Sequence, residues 1–145
     1  MIWFNRLILA SVLLALCVAV FGAYVRLTDA GLGCPDWPGC FGTLTVPESQ
    51  EAILLAQQEY PDSFVDVGKA WREMIHRYIA AILGVFVLLI TYLAYKNKSD
   101  INVRLKTVYA LLALIIFQGL LGMWTVTELL KPAIVSAHLI GGMST

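Results

Sequence analysis

The stretch "MIHRYIAAILGVFVLLITYLAY" at residues 74–95 decides the fold. Beyond His76 and Arg77 it contains no charged residue. A helix rises 1.5 Å per residue, so about 20 apolar residues cross a hydrocarbon core of about 30 Å. The stretch therefore predicts a membrane-spanning helix.

Three other apolar runs flank this span. They cover about Trp3 to Tyr24, about Val108 to Val126, and a final run from Ala133 to Thr145. The mean hydropathy of +0.78 and the 14% of charged residues are typical of a membrane protein. The last run would reach only about 20 Å as a helix, so we expect a truncated fourth span or a re-entrant segment. The predicted class is all-α: a polytopic transmembrane helix bundle with three full spans and the start of a fourth.

Charge predicts how these spans are oriented. The segment "KNKSDINVRLK" at residues 96–106 holds Lys96, Lys98, Arg104 and Lys106, which marks it as cytoplasmic. The N-terminus is then cytoplasmic, and the acidic loop 25–73 faces outward. The first run has no A-x-A cleavage site and no Arg- and Ser-rich segment precedes it, so we expect an uncleaved span in a bacterial inner membrane. The formal net charge of zero gives no reason to expect nucleic acid as a partner.

The outer loop contains the unusual stretch "GLGCPDWPGC" at residues 31–40. Cys34 and Cys40 lie on the oxidising side of the membrane, where disulfides persist. Prolines and glycines between them restrict and turn the chain, so their Cα atoms can approach within the roughly 4.4–6.8 Å that a disulfide needs. We favour a structural staple on a loop too small for its own core over a redox-active bridge. Further on, the segment 47–71 predicts a short amphipathic helix at the membrane surface, with residues 52–56 as its apolar part and a turn at Pro61 and Asp62.

The two histidines are the best candidates for metal ligands. His76 opens the second span and His138 opens the fourth, and both spans enter from the outer face. Their imidazoles should therefore lie at similar depth, where bundle cores hold haem through axial histidines. Zinc is less favoured, since the chain offers one nearby carboxylate and small neighbours, Gly84, Gly141 and Gly142. We expect Gly22 and the "QGLLG" stretch at 118–122 to serve close helix packing.

The stretch "WREMIHRY" at residues 71–78 surrounds the first histidine with charge. Glu73 precedes His76 by three residues, which puts both side chains on one helix face. Ionisable groups at membrane depth are costly and often functional. The alternative is an interfacial cluster with belt aromatics and snorkelling arginines. By position, Arg72 and Arg77 are candidates to contact haem propionates.

Together, "GAYVRLTDAGLGCPDWPGC" at residues 22–40 and "WREMIHRYIA" at residues 71–80 resemble the N-terminal half of the haem A synthase family of cytochrome oxidase assembly proteins. The resemblance covers essentially the whole chain. That family has eight spans in two similar four-helix halves, each with a histidine pair. The resemblance implies that residues 1–145 form one such half, with the cysteine pair in the loop 25–73.

The resemblance also implies roles for single residues. His76 and His138 would be axial ligands of haem iron, and Glu73 would be the essential carboxylate beside it. Cys34 and Cys40 would match a cysteine pair that some members carry. The reaction would convert the C8 methyl group of haem O to the formyl group of haem A. A haem b belongs to the other half of the family fold.

The implied partners are membrane lipid, haem O, a haem O synthase and cytochrome oxidase assembly factors, with a homo-oligomer left open. Two other functions share these features. A bis-histidine membrane b-type cytochrome would need the ligand pair alone, and a haem-free assembly scaffold would need neither histidine. A quinone-linked disulfide oxidoreductase would need a second cysteine pair, whereas Cys17 is the one remaining cysteine.

Overall fold

The computed structural model describes residues 2–97 and 104–145, and Lys98 of the predicted cytoplasmic loop lies outside these ranges. The described residues form five helices and no strand, which confirms the all-α class. Three helices are long and apolar enough to cross a membrane. The helices are α1 (Ile2–Leu27), α2 (Gln50–Glu59), α3 (Val67–Lys96), α4 (Leu105–Thr127) and α5 (Pro132–Met143).

Helix α3 begins seven residues before the span predicted from hydropathy. Asp66 caps its N-terminus, with a carboxylate oxygen that accepts from the backbone N–H of Lys69 at 2.9 Å. The 30 residues of α3 extend about 45 Å, more than the hydrocarbon core requires. Its first two turns therefore extend past the apolar span and are available to bind the preceding loop.

The four longer apolar helices pack in a ring. Helix α3 contacts α1 and α4, and α5 contacts the same two helices. No Cα atom of α3 lies within 8 Å of one in α5, and the same holds for α1 and α4. Helices α3 and α5 are therefore diagonal partners across the described bundle.

One end of the ring is closed by an apolar cluster. Phe4 of α1, Ile90 and Ala94 of α3, and Val108 of α4 are buried together there. Many other apolar side chains along α1 and α4 are exposed, including Leu9 at 60% and Ile116 at 57%. Such exposure is expected for helices whose outer surface contacts lipid.

The opposite end carries the segment 28–66, here called the first loop. The loop shares its apolar core with the start of α3. The predicted short helix forms as α2, with Ser49 as its N-cap. A small apolar core joins the loop, α2 and the start of α3; its members are Cys34, Cys40, Phe41, Val46, Ala56, Val65, Ala70 and Met74.

Candidate haem site and the loop that covers it

His76 rests against a glycine of the neighbouring helix. A Cβ atom on Gly22 of α1 would lie 2.8 Å from Cε1 of His76 and 3.3 Å from Nε2. Phe21 stacks on the same imidazole, with ring centroids 6.5 Å apart. Nδ1 of His76 is buried and has no hydrogen-bond partner in the described structure. Gly22 therefore makes room for a side chain, not only for a helix backbone.

His138 rests on α4 in a similar way. A Cβ atom on Gly122 would lie 3.5 Å from Cε1 of His138. The amide of Gln118, one turn earlier on α4, lies 2.9 Å from Nδ1 of His138. The sequence interpretation treated this stretch as packing alone and missed the contact. The available signal was a polar side chain within an apolar helix, four residues before a glycine.

The two imidazoles belong to the diagonal helices of the ring. The part of the chain that the structure describes gathers no three His, Cys, Asp or Glu side chains into a metal cluster. Two imidazoles on opposite sides of a bundle suit the axial positions of haem better than the four ligands of zinc. The unpartnered Nδ1 of His76 and the two glycines that pack against the imidazoles fit a group placed between the histidines. Gly84 was expected to be a small neighbour of the haem, and nothing lies within 4 Å of its Cβ position.

Glu73 does not project freely beside His76. Its side chain is buried, and Oε2 accepts a hydrogen bond from the backbone N–H of Cys34 at 3.0 Å. Oε1 accepts from Nη2 of Arg77 at 2.5 Å in an ion pair. A buried carboxylate with a cationic partner and a second donor keeps its charge at a lower cost than an isolated one. Glu73 thus links the first loop to α3.

Arg77 binds the loop as well. Its Nη1 donates to the carbonyl oxygens of Asp36 at 3.0 Å and Pro38 at 3.3 Å, and also to that of Gly39. With Nη2 on Glu73, both terminal nitrogens have partners in the protein. Arg72 differs, because its Nε is buried without a partner in the described structure. Propionate contacts stay a prediction for both arginines, and Arg72 has the available donor.

Cys34 and Cys40 form a disulfide with their Cα atoms 4.8 Å apart. Both residues are fully buried. Gly33 allows the loop to approach α3 closely enough to bury the disulfide. A Cβ atom at residue 33 would lie 2.6 Å from the backbone carbon of Lys69. Thiol–disulfide exchange requires access to a sulfur, so the burial favours the structural role over a redox-active one.

Aromatic residues expected at the membrane belt also anchor the first loop. Nε1 of Trp71 donates to Glu48 at 2.6 Å, and the hydroxyl of Tyr78 donates to the carbonyl of Leu44 at 2.5 Å. Lys69 pairs with Asp29 at 3.0 Å. The hydrogen bond and positive charge of Lys69 hold the pKa of the Asp29 carboxyl below its usual range.

The cytochrome oxidase assembly protein family model matches residues 5–145. The chain belongs to this family. A haem A synthase from Shewanella oneidensis is 49% identical over 142 residues, which is 98% of this chain and 41% of that protein. The family assignment confirms the resemblance found in the sequence.

More distant relatives are named for related chemistry. A haem A synthase from Saccharomyces cerevisiae is 31% identical over 122 residues, 75% of this chain and 25% of that protein. A protein named protohaem IX farnesyltransferase 1 from Natronomonas pharaonis is 31% identical over 142 residues, 97% of this chain and 25% of that protein. No solved structure matches the chain. The chain thus spans less than half the length of these relatives.

Proposed function

We propose that this chain forms the haem O-binding half of a haem A synthase, with His76 and His138 as axial ligands of the haem iron. The observation that carries the proposal is the placement of the two imidazoles on diagonal helices, each resting on a glycine of an adjacent helix. The similarity to haem A synthases supports the same conclusion. The reaction proposed is oxidation of the C8 methyl group of haem O to the formyl group of haem A.

In this proposal the protein supplies orientation and exclusion of water. The bound haem is the substrate and supplies the iron and the methyl group that is oxidised. His76 and His138 fix its position, and Arg72 offers a donor to a propionate. The first loop, held by Glu73 and Arg77, covers one end of α3 and limits the entry of water near the site.

Glu73 has a second proposed role. It lies three residues before His76 and so shares a face of α3 with it. Conversion of a methyl to a formyl group, with water as the oxygen source, releases about four protons and four electrons; an external acceptor must take the electrons, and a nearby carboxylate can accept a proton or stabilise positive charge that develops at carbon. Retained turnover in Glu73→Ala would exclude this role. Because Glu73 also binds the loop, Glu73→Gln serves as the matched variant: its amide oxygen can still accept from the N–H of Cys34 while the carboxylate is lost.

The setting of this activity is likewise proposed. We infer a bacterial inner membrane, with the first loop on the outer face and the N-terminus in the cytoplasm, as the charge pattern predicts. Similarity to a protein named for protohaem farnesylation supports a functional link with the enzyme that supplies haem O. Cytochrome oxidase assembly factors would receive the product.

The experiment that tests the proposal is extraction and identification of the bound pigment. The purified chain in detergent should contain haem O or haem A. Haem b alone would favour the electron-transfer cytochrome. An unmutated chain that binds no haem would favour the scaffold. When the second four-helix half of a related haem A synthase is added, the same preparation should convert haem O to haem A.

A further inference from the structure

Gln118 is a polar side chain whose place in an apolar helix the proposed function does not explain. In the orientation that gives both ends of its amide a partner, the nitrogen donates to the carbonyl oxygen of His138 at 3.0 Å and to Nδ1 of His138 at 2.9 Å. The amide oxygen accepts from the backbone N–H of Gly142 at 3.1 Å. The amide is therefore fixed to the backbone of α5 while it contacts the imidazole.

A glycine on α5 makes the slot for this amide. In this orientation a Cβ atom on Gly141 would overlap the amide oxygen of Gln118 and would lie 3.0 Å from its Cδ. By contrast, Gly119, the next residue after Gln118, has nothing within 4 Å of its Cβ position. The space at Gly141 is thus specific to the contact between Gln118 and His138.

The contact determines where the imidazole carries its proton. A neutral imidazole has one N–H and one acceptor nitrogen. When Nδ1 accepts from Gln118, the proton is on Nε2. A histidine that binds iron through Nε2 must carry the proton on Nδ1, and such ligands normally donate that N–H to an oxygen.

An amide meets both requirements, because a half turn exchanges its nitrogen for its oxygen. After that turn, the amide oxygen accepts from Nδ1–H. The carbonyl of His138 and the N–H of Gly142 are four residues apart in α5 and can bond to each other in the helix. In that orientation the amide oxygen faces the carbonyl oxygen of His138 and the amide nitrogen faces the N–H of Gly142, so the half turn gives up both backbone contacts and needs the hydrogen bond from Nδ1–H to offset their loss.

We propose that Gln118 is a positioning residue for His138, which holds the imidazole through Nδ1 and sets its tautomer. Its second part, that the amide reverses when Nε2 binds iron, rests on the proposed function. His76 has no equivalent, since its Nδ1 is unpartnered in the described structure. The two histidines are therefore unequal, and His138 is the one oriented in advance.

The test is nitrogen NMR of the purified, haem-free chain with ¹⁵N-labelled histidine. The chain has two histidines, so a His76→Gln background assigns the signals of His138. We expect the Nε2–H tautomer in the unmutated chain, a shift of the Nδ1 signal in Gln118→Leu as its hydrogen bond is lost, and protonation of Nδ1 in Gln118→Glu. Gly141→Ala should reproduce the Gln118→Leu shift, and Gly119→Ala should change nothing.

Unchanged His138 signals in all three variants at positions 118 and 141 would overturn the proposal. A side chain that served only for packing would leave the tautomer unaltered. The second part is then tested with haem bound. An acceptor at Nδ1–H makes the ligand more electron-rich, so Gln118→Glu should lower the haem midpoint potential and Gln118→Leu should raise it relative to Gly119→Ala. Equal potentials would reject the reversal, whereas failure of the unmutated chain to bind haem would reject the proposed function and leave the haem-free result standing.

Discussion

The contact between Gly22 and His76 allows a sharp prediction. In Gly22→Ala the new Cβ would lie 2.8 Å from Cε1 of His76. Carbon atoms pack at about 3.5 Å or more, so the ring must move by at least about 0.7 Å. Ligand geometry must be held within about 0.5 Å to function. We therefore expect haem affinity to fall at least about tenfold, equivalent to about 1.4 kcal/mol.

The free energy of unfolding of Gly22→Ala should rise or stay unchanged. Alanine is favoured over glycine within a helix by up to about 1 kcal/mol, so the variant is not expected to unfold. The assay is haem bound per chain across a haem titration, with thermal unfolding measured on the same samples. Gly119→Ala is the matched control, because nothing lies within 4 Å of its Cβ position. Equal haem affinity in Gly22→Ala and the control would refute the reasoning.

Three further predictions concern the first loop. Arg77→Ala removes the donor to three loop carbonyls and to Glu73, so the disulfide should be reduced, and its cysteines labelled by a thiol reagent, faster than in the unmutated chain; an unchanged rate would contradict the proposed hold of Arg77 on the loop. Gly33→Ala should lower the melting temperature, because its Cβ would lie 2.6 Å from backbone; a melting temperature equal to that of Gly119→Ala would contradict the close approach. Lys69 lowers the pKa of Asp29 in the folded protein. The ion pair therefore stabilises the folded protein at pH values above the unfolded pKa of this carboxyl, and this contribution is lost as pH falls through the folded pKa. Asp29→Asn should therefore reduce stability slightly at neutral pH and not in strong acid, and an equal deficit at both pH values would contradict the ion pair.

The sequence predicted the elements whose signal is local. Apolar runs located the three spans, and the spacing and flanking residues of Cys34 and Cys40 predicted the disulfide. Hydropathy marked the apolar span of α3 and not the start of the helix, because the cap at Asp66 sets where the helix begins. A search for capping residues would have located that start.

The contacts between helices could not be predicted in the same way. The contact of Gln118 with His138 depends on the relative rotation of α4 and α5, and that rotation is not encoded in either segment alone. The clamp of Arg77 engages backbone carbonyls, which every residue has and which carry no sequence signal. The positions of His76 and His138 in the sequence predicted the histidine pair and the resemblance supported it, whereas the structure gave the glycines and the amide that contact the two imidazoles.

The most direct test of the histidine pair is a reduced-minus-oxidised absorption spectrum of the purified chain reconstituted with haem O. It should be recorded beside His76→Ala, His138→Ala and Gly119→Ala. We predict a low-spin signal in the unmutated chain and in Gly119→Ala that is lost in both histidine variants. A low-spin signal that persists in either histidine variant would contradict the account.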